Sequence, residues 1–252
     1  MNWPTCRRLG FLILLALCLS SCFQADLTLR FDHHVHGQFT QSIYLGERGT
    51  ALATASLAPW LAARRRQVGR LGGSLRQDAE GIQLTVPFST GPDLVTRFQQ
   101  VFAEAEPEPG LPSSQGLLLA PGLGLIPFNL QVEQRNWGLA SRTQLIYDLD
   151  LRELPTSKLQ ADRAAPSASA SVISFRLQTP WGIRQVSPKS ALPTVSLPTE
   201  ADWLLQPGQL NHIDVLFWLP NAVGLGTVAI VGLVLVGYVL RYRWLSPPRR
   251  LS

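Results

Sequence analysis

The chain has 252 residues and a net charge of +5, so its length suits one sizeable domain and its charge raises the question of nucleic-acid binding. Six arginines, however, flank two apolar runs near the ends of the chain: Arg7, Arg8, Arg241, Arg243, Arg249 and Arg250. Removing these six from the 22 basic residues leaves 16 against all 17 acidic residues, a net charge of −1 between the runs. The basic charge therefore belongs to membrane flanks, and we exclude nucleic acid as a partner.

The first apolar run has the layout of a secretory leader. Arg7 and Arg8 precede residues 9–19, an uncharged stretch too short to span a bilayer comfortably, and Leu-Ser-Ser-Cys at 19–22 resembles a bacterial lipobox. We predict a lipoprotein-type signal peptide over residues 1–21, with Cys22 as the acylated lipid anchor. The alternatives are an ordinary signal peptide or an uncleaved anchor, in which Cys22 is incidental.

Alternating apolar and polar residues predict strands in the domain that follows. Residues 26–32 and 38–45 alternate on either side of a turn near Gly37, which predicts a β-hairpin. Further strands are predicted over residues 81–88, 124–133, 140–152 and 171–179. A second hairpin is predicted to join residues 201–206 to 209–217 across Pro207 and Gly208.

Helical spacing appears in two further segments. Leu61, Val68 and their neighbours predict an amphipathic helix over residues 56–71, and Thr90 with Pro92 predicts the start of another helix that ends before Glu104. Residues 155–170, rich in Ala, Ser and Pro, predict a flexible linker. The sum is an α+β fold, a mostly antiparallel sheet with two packed helices.

The second apolar run, residues 222–240, contains no charge and would extend about 29 Å as a helix, which matches a hydrocarbon core of about 30 Å. We predict a transmembrane helix over residues 220–241 and a short basic cytoplasmic tail over 242–252. Residues 22–215 then form an extracytoplasmic domain, because arginines after a span favour the cytoplasmic side. Five aromatic residues bracket the span as interfacial residues do: Phe217, Trp218, Tyr238, Tyr242 and Trp244.

Several segments together resemble a family of unknown function found in cyanobacteria and plant chloroplasts, domain of unknown function 3153, which is distantly similar to LppM-type lipoproteins of mycobacteria. They are the lipobox, DLTLRFD at 26–32, TVPF at 85–88, LIYDLDLR at 145–152, TPWG at 179–182 and PGQLNHIDVLFWLP at 207–220. The resemblance implies a membrane-tethered α+β domain facing the periplasm or the thylakoid lumen. The distant similarity to LppM-type lipoproteins further implies binding of lipids or other amphiphiles, but it provides no matched set of ligand residues.

Two groups of residues are weak candidates for metal chemistry. His33, His34 and His36 surround a predicted turn that could gather their rings around one ion, although surface histidines at a hairpin are the simpler interpretation. Asp148 and Asp150 have the spacing of paired catalytic carboxylates, but a strand buried on one face explains the same alternation. We therefore assign no metal site, no cofactor and no catalytic residue.

Two other polar groups bear on the membrane. Arg64, Arg65, Arg66 and Arg70 form a dense basic patch that predicts contact with lipid headgroups, or else an ordinary solvated helix face. Asn211, His212 and Asp214 precede the span; a histidine there could respond to pH, but the preferred interpretation is that they satisfy backbone groups where the sheet meets the membrane.

The function predicted from the sequence is a doubly anchored, non-enzymatic domain in the plasma or thylakoid membrane. It would bind a lipid or another amphiphile, or assist a membrane protein complex, because two tethers raise its local concentration at the bilayer. The alternative is a metal-dependent hydrolase that acts on envelope or thylakoid substrates through the histidines and the two aspartates.

Overall fold

The computed structural model describes residues 24–33, 35–44, 46–78, 81–103, 114–116, 126–152 and 172–244. The strands are β1 Gln24–His33, β2 His36–Tyr44, β3 Ser74–Gln77, β4 Gly81–Phe88, β5 Ser114–Gly116, β6 Ile126–Asn136, β7 Ala140–Asp150, β8 Val172–Gln178, β9 Ile183–Val186, β10 Val195–Ser196, β11 Glu200–Leu205 and β12 Leu210–Pro220. The helices are α1 Gly46–Arg70, α2 Gly91–Phe102 and α3 Ala222–Val239, with a π-helical turn, Leu240–Trp244, after α3. Five predictions lie wholly or largely outside these residues: the signal peptide over 1–21, Cys22, His34, the linker over 155–170 and the tail over 242–252, of which only 242–244 are described.

The strands form two sheets. The larger has seven strands in the order β10-β11-β8-β1-β2-β4-β3, and the smaller has five in the order β5-β6-β7-β12-β9. Most neighbouring strands are antiparallel, while β1 and β8 run parallel. The α+β class with mostly antiparallel strands is thus confirmed, and the division into two sheets is an addition that the strand pattern did not indicate.

Both sheets turn their apolar faces to one shared core. In β1, Leu29 is fully buried, and in β7, Leu145 and Tyr147 are at most 1% exposed, as the alternation of each segment requires. Aromatic rings connect the layers: Phe31 lies 5.0 Å from Phe217, and Tyr147 stacks on Phe175 at 5.0 Å between ring centroids. The core therefore forms where the two sheets face each other.

Helix α2 packs against both sheets because its apolar stripe is buried. Phe98 lies 5.5 Å from Phe39 of the larger sheet and 5.5 Å from Phe128 of the smaller one. The Thr90 hydroxyl accepts a hydrogen bond from the Asp93 backbone N–H, and Pro92 occupies the first turn, where no backbone donor is needed. The predicted helix start is confirmed, and α1 begins ten residues before its predicted start.

Helix α3 follows β12 directly and leaves the domain. None of its residues is buried, and the segment Ala222–Tyr242 is long and apolar enough to cross a membrane. Among its predicted interfacial aromatics, Tyr238 and Tyr242 are exposed and Trp218 is half-buried. The assignment of Phe217 to the interface is wrong, because this ring is completely buried in the core; the Trp244 side chain lies outside the described part of the chain.

The predicted hairpin between residues 201–206 and 209–217 is also wrong. Strand β11 pairs with β8 in the larger sheet, whereas β12 pairs with β7 and β9 in the smaller one. Gly208 has a φ of +82°, so the chain does reverse there, but it crosses between the sheets. Backbone bonds between Leu151 and residues 208 and 209 fix the start of β12 to the end of β7.

Candidate functional site

The junction between the domain and α3 is built around Asn221, which is 5% exposed. Its side-chain oxygen accepts hydrogen bonds from the backbone N–H groups of Val223 and Gly224, which caps the helix. Its side-chain nitrogen donates to Asn136 Oδ1 at 3.1 Å, and its backbone N–H donates to the Leu139 carbonyl at 2.9 Å. One residue therefore holds the helix and the turn between β6 and β7 together.

That turn, residues 137–139, packs directly against the first turn of α3. A Cβ placed on Gly224 would lie 2.0 Å from the Gly138 carbonyl oxygen, so the two backbones can approach only because residue 224 is glycine. Gly138 itself has a φ of +84°, which L-residues rarely adopt, and its N–H donates to Asn136 Oδ1 at 2.9 Å. The turn and the helix start form one continuous packing unit.

A cleft of about 360 Å³ opens beside the ends of β1, β8 and β11. Its lining residues are Arg30, Phe31, Asp32, Gln178, Thr179, Pro180, Thr199 and Glu200. Thr179 is 3% exposed, and its hydroxyl has no hydrogen-bond partner in the part of the chain that the structure describes. Because Phe31 also contacts Phe217, four residues before Asn221, the cleft lies at the end of the domain from which α3 leaves.

The four arginines predicted as headgroup ligands differ in their surroundings. Arg64 is 7% exposed and donates to the Val101 carbonyl and to Gln67 Oε1, so its guanidinium connects α1 to α2 inside the domain. The prediction that Arg64 contacts lipid headgroups is therefore wrong, because its guanidinium is buried inside the domain. Arg65, Arg66 and Arg70 are exposed and remain candidates.

The described histidines of the first hairpin are held by local contacts. His36 Nδ1 lies 2.8 Å from Asp32 Oδ2, and the rings of His33 and His36 are 5.5 Å apart. No group of three or more His, Cys, Asp or Glu side chains with the geometry of a metal site occurs among the described residues. His34 lies outside those residues, so the three-histidine arrangement stays a sequence prediction.

Each aspartate of β7 has its own partner on the outer face of the smaller sheet. Asp148 lies opposite His212 in the strand register, with 2.5 Å between Asp148 Oδ1 and His212 Nδ1, and it accepts a further hydrogen bond from Asn129. Asp150 is bound by Arg152, whose hydrogen bonds lower the pKa of that carboxyl below its ordinary value. Both carboxylates are half-buried and ion-paired, an arrangement typical of the outer face of a sheet rather than of a general acid.

The structure does not bring the histidines and the aspartates together. Phe31 of β1 packs at Phe217, which is five residues along β12 from His212, a separation of about 17 Å for an extended strand. His33 lies beyond Phe31 at that end, whereas Asp148 lies at the level of His212. The predicted hydrolase site therefore does not assemble from the described residues.

Asn211 satisfies backbone groups, as the preferred interpretation expects, but it does so at the start of β12, at the opposite end of that strand from α3. It is 4% exposed; its Oδ1 accepts from the Gln206 N–H, and its Nδ2 donates to the Gln206 and Gln209 carbonyls. Asp214 accepts a hydrogen bond from Gln144 across the neighbouring strand. Asn211 thus provides hydrogen-bond partners for backbone groups at the corner between the two sheets, and His212 pairs with Asp148.

The residues that form the junction are not among the site residues predicted from the sequence. Asn136, Trp137 and Gly138 carry a recognisable signal, an Asn and a Gly between two strands, which indicates a tight turn. Asn221 before the apolar run is likewise a typical helix cap. What the sequence could not indicate is that this turn and this cap touch, because they are separated by more than eighty residues.

Comparison with known proteins gives one family match. The model of a family described as protein of unknown function (DUF3153) matches residues 41–246. The folded domain of LppM from Mycobacterium tuberculosis, determined by NMR, aligns over 81% of this chain and 94% of that domain, with 12% sequence identity and a TM-score of 0.39. A comparison with curated proteins yields no match.

Proposed function

The chain belongs to the family of unknown function DUF3153, and we propose that it is a membrane-anchored extracytoplasmic domain that binds a lipid or another amphiphile at the bilayer surface without catalysing a reaction. The observation that carries this proposal is the junction at Asn221, which joins the domain to an exposed apolar helix without a linker. A domain fixed in this way presents one end to the membrane.

The orientation in this proposal follows from charge. Arg241 comes directly after the apolar segment, and the chain continues with Arg243, Arg249 and Arg250, an excess that favours the cytoplasmic side. The domain would then face the periplasm or a lumen. A lipid on Cys22 would add a second anchor, so that even weak contacts with lipid suffice because both tethers hold the domain close to the bilayer.

The cleft beside Thr179 supports the proposal that the domain binds an amphiphile. It combines a cation, Arg30, with two carboxylates, Asp32 and Glu200, and it includes the buried hydroxyl of Thr179. The Thr179 hydroxyl is shielded and has no partner among the described residues, and a buried polar atom of this kind costs free energy until a ligand group or water reaches it, so a headgroup that enters the cleft would gain a donor there. The opening lies at the end of the domain from which α3 leaves, where a headgroup would be available.

Mass spectrometry of the full-length chain, extracted gently with its lipids, tests the proposal. We expect Arg30→Gln and Thr179→Val to lower the amount of co-purifying lipid several-fold, because the first removes the cation of the cleft and the second removes the hydroxyl donor. Arg76→Gln is the matched control, since Arg76 is an exposed arginine on β3 at the far edge of the same sheet. Equal lipid content in all variants would contradict binding in the cleft.

The exposed arginines of α1 form a second part of the same proposal. Arg65, Arg66 and Arg70 would contact anionic headgroups, each with a gain of about 1 kcal/mol near an anionic surface. A triple Arg→Gln variant should retain less anionic lipid than wild type in the same measurement. Unchanged retention would mean that these side chains form a solvated helix face.

The two anchors are tested by truncation after Asn221. The shortened chain should remain in the membrane fraction when Cys22 is present, and a Cys22→Ala version of it should become soluble. Release of the truncated chain despite an intact Cys22 would contradict the lipid anchor and leave α3 as the membrane attachment.

A further inference from the structure

Two large apolar side chains stand exposed at the turn between β6 and β7. Trp137 is 68% exposed and Leu139 is 46% exposed, although both belong to a rigid turn in which the Trp137 N–H donates to the Ala140 carbonyl at 2.8 Å. A tight turn between strands usually carries polar residues, so an exposed Trp and Leu at its tip need an explanation.

The position of this turn supplies the explanation. Gly138 touches Gly224 in the first turn of α3, and Asn136 is hydrogen-bonded to Asn221. If residues 222–240 fill a hydrocarbon core of about 30 Å, the helix start marks the boundary between headgroups and acyl chains. The turn lies beside that boundary, with its apolar side chains exposed.

The neighbouring side chains have the composition of a membrane interface. Trp218 of β12 lies 6.5 Å from Trp137 between ring centroids, and tryptophan is enriched at the headgroup level because its ring is apolar and its N–H is polar. Arg135 and Arg142 lie directly opposite each other in the register of β6 and β7, both exposed, about 7 Å farther from the turn. Glu133 lies 4.0 Å from Arg135 and offsets part of the repulsion between the two cations, and lipid phosphates would provide further anions beside Arg142.

We propose that the Trp137–Leu139 turn inserts into the headgroup boundary of the bilayer beside α3, with Arg135 and Arg142 at the depth of the lipid phosphates. This inference rests on the membrane anchoring proposed above and adds a second contact with the membrane. Because the turn is locked to the helix start, insertion fixes the rotation of the domain about α3 as well as its distance from the bilayer. The open end of the Thr179 cleft is thereby held at the membrane surface.

Site-specific photo-crosslinking in the full-length chain tests this contact. Benzoylphenylalanine is introduced at Leu139 or, separately, at Trp137, and the protein is reconstituted in nanodiscs that contain phosphatidylcholine and phosphatidylglycerol. Leu210 is the matched control, since it is 52% exposed and begins β12 at the end opposite Trp218. Leu233, in the middle of α3 and 74% exposed, reports on the span itself.

After irradiation, lipid adducts are expected at positions 137, 139 and 233, several-fold above position 210. Adducts at 233 without adducts at 137 or 139 would overturn this inference and leave the proposed anchoring intact. Absence of adducts at 233 as well would overturn both, since α3 would then not cross the bilayer. The use of both Trp137 and Leu139 guards against a local change in fold at either position. In native membranes, a protein adduct at 137 and 139 without a lipid adduct would also overturn the inference and identify the turn as a protein contact.

Discussion

The side-chain nitrogen of Asn221 donates a hydrogen bond to the side-chain oxygen of Asn136, 3.1 Å away, across the boundary between the last strand and the apolar helix. Asn136 Oδ1 also accepts a hydrogen bond from the Gly138 N–H. The same oxygen therefore stabilises the turn and binds the residue that caps the helix. A flexible linker would let the domain rotate freely relative to the helix, whereas this hydrogen bond restricts that rotation. The fold therefore fixes the orientation of the domain relative to the apolar helix.

We predict that Gly224→Ala loosens the junction while Gly226→Ala does not. The new Cβ at 224 would lie 2.0 Å from the Gly138 carbonyl, whereas position 226 has open space around it. Overpacking of this kind costs about 1–3 kcal/mol, and alanine at an unhindered helix position gains up to about 1 kcal/mol over glycine. Hydrogen exchange of the full-length protein in detergent should accelerate at residues 137–140 and 222–225 in Gly224→Ala alone. Equal exchange in both variants would mean that the close approach has no energetic role.

A second prediction concerns the corner between the sheets. Asn211→Ala removes three hydrogen bonds made by a side chain that is 4% exposed, two of them to the backbone of Gln206, and each such bond contributes about 0.5–1.5 kcal/mol. We expect the variant to be less stable by about 2–4 kcal/mol in urea unfolding followed by circular dichroism. Gln209→Ala is the control, because its amide donates to Gln206 Oε1 at the surface. A loss of similar size in the control would assign the effect to the turn rather than to Asn211.

The same corner marks the limit of what the sequence predicts. Local patterns suffice for β1, β7, the Thr90 cap and the apolar helix, because each depends on residues a few positions apart. Pro207 and Gly208 indicate a reversal equally well, but they do not say which strand lies beside β12. That choice depends on partners far away in the chain, such as Asp148 for His212 and Leu151 for Gln209.

For the candidate sites too, local patterns were predictable from the sequence, whereas contacts between distant residues were not. The outward alternation of Asp148 and Asp150 was predictable, whereas the pairing of Asp148 with His212, 64 residues away, was not. Arg64 looks identical to Arg65 in the sequence, and the helix rotation alone distinguishes the buried guanidinium from the exposed one. The exposure of Trp137 could not be predicted either, because the periodic patterns that indicate burial in strands and helices do not extend into a turn.

Arg64 should therefore contribute to stability and Arg65 should not. Arg64→Gln shortens the side chain and removes the hydrogen bonds to Gln67 and the Val101 carbonyl, and a hydrogen bond to a charged group contributes about 1.5–3 kcal/mol. Thermal unfolding should show a lower midpoint for Arg64→Gln. Arg65→Gln should lie within about 0.5 kcal/mol of wild type, as expected for an exposed position. Equal midpoints for the two variants would contradict the assignment of Arg64 to the helix pair.

The last prediction concerns acid and the start of α2. Burial raises the pKa of Asp93, but hydrogen bonds from Arg97 and from the Ser89 N–H, together with the Arg97 charge, outweigh burial and hold the pKa below its ordinary value of 3.8. Because the folded state favours the ionised carboxyl, its contribution to stability is complete above 3.8 and is lost as the pH falls through the lower, folded-state pKa.

The Asp93→Asn variant measures this contribution. Near neutral pH, wild type should be more stable than Asp93→Asn, since the amide keeps an acceptor for Ser89 but loses the charge that pairs with Arg97. The difference should shrink as the pH is lowered below 3.8, because protonated aspartic acid also lacks the charge. Urea unfolding at several pH values gives the curve, and Asp78→Asn, in the turn before β4, serves as a control for general acid effects. A difference between wild type and Asp93→Asn that stays constant into strong acid would contradict the pairing as the source of the stabilisation.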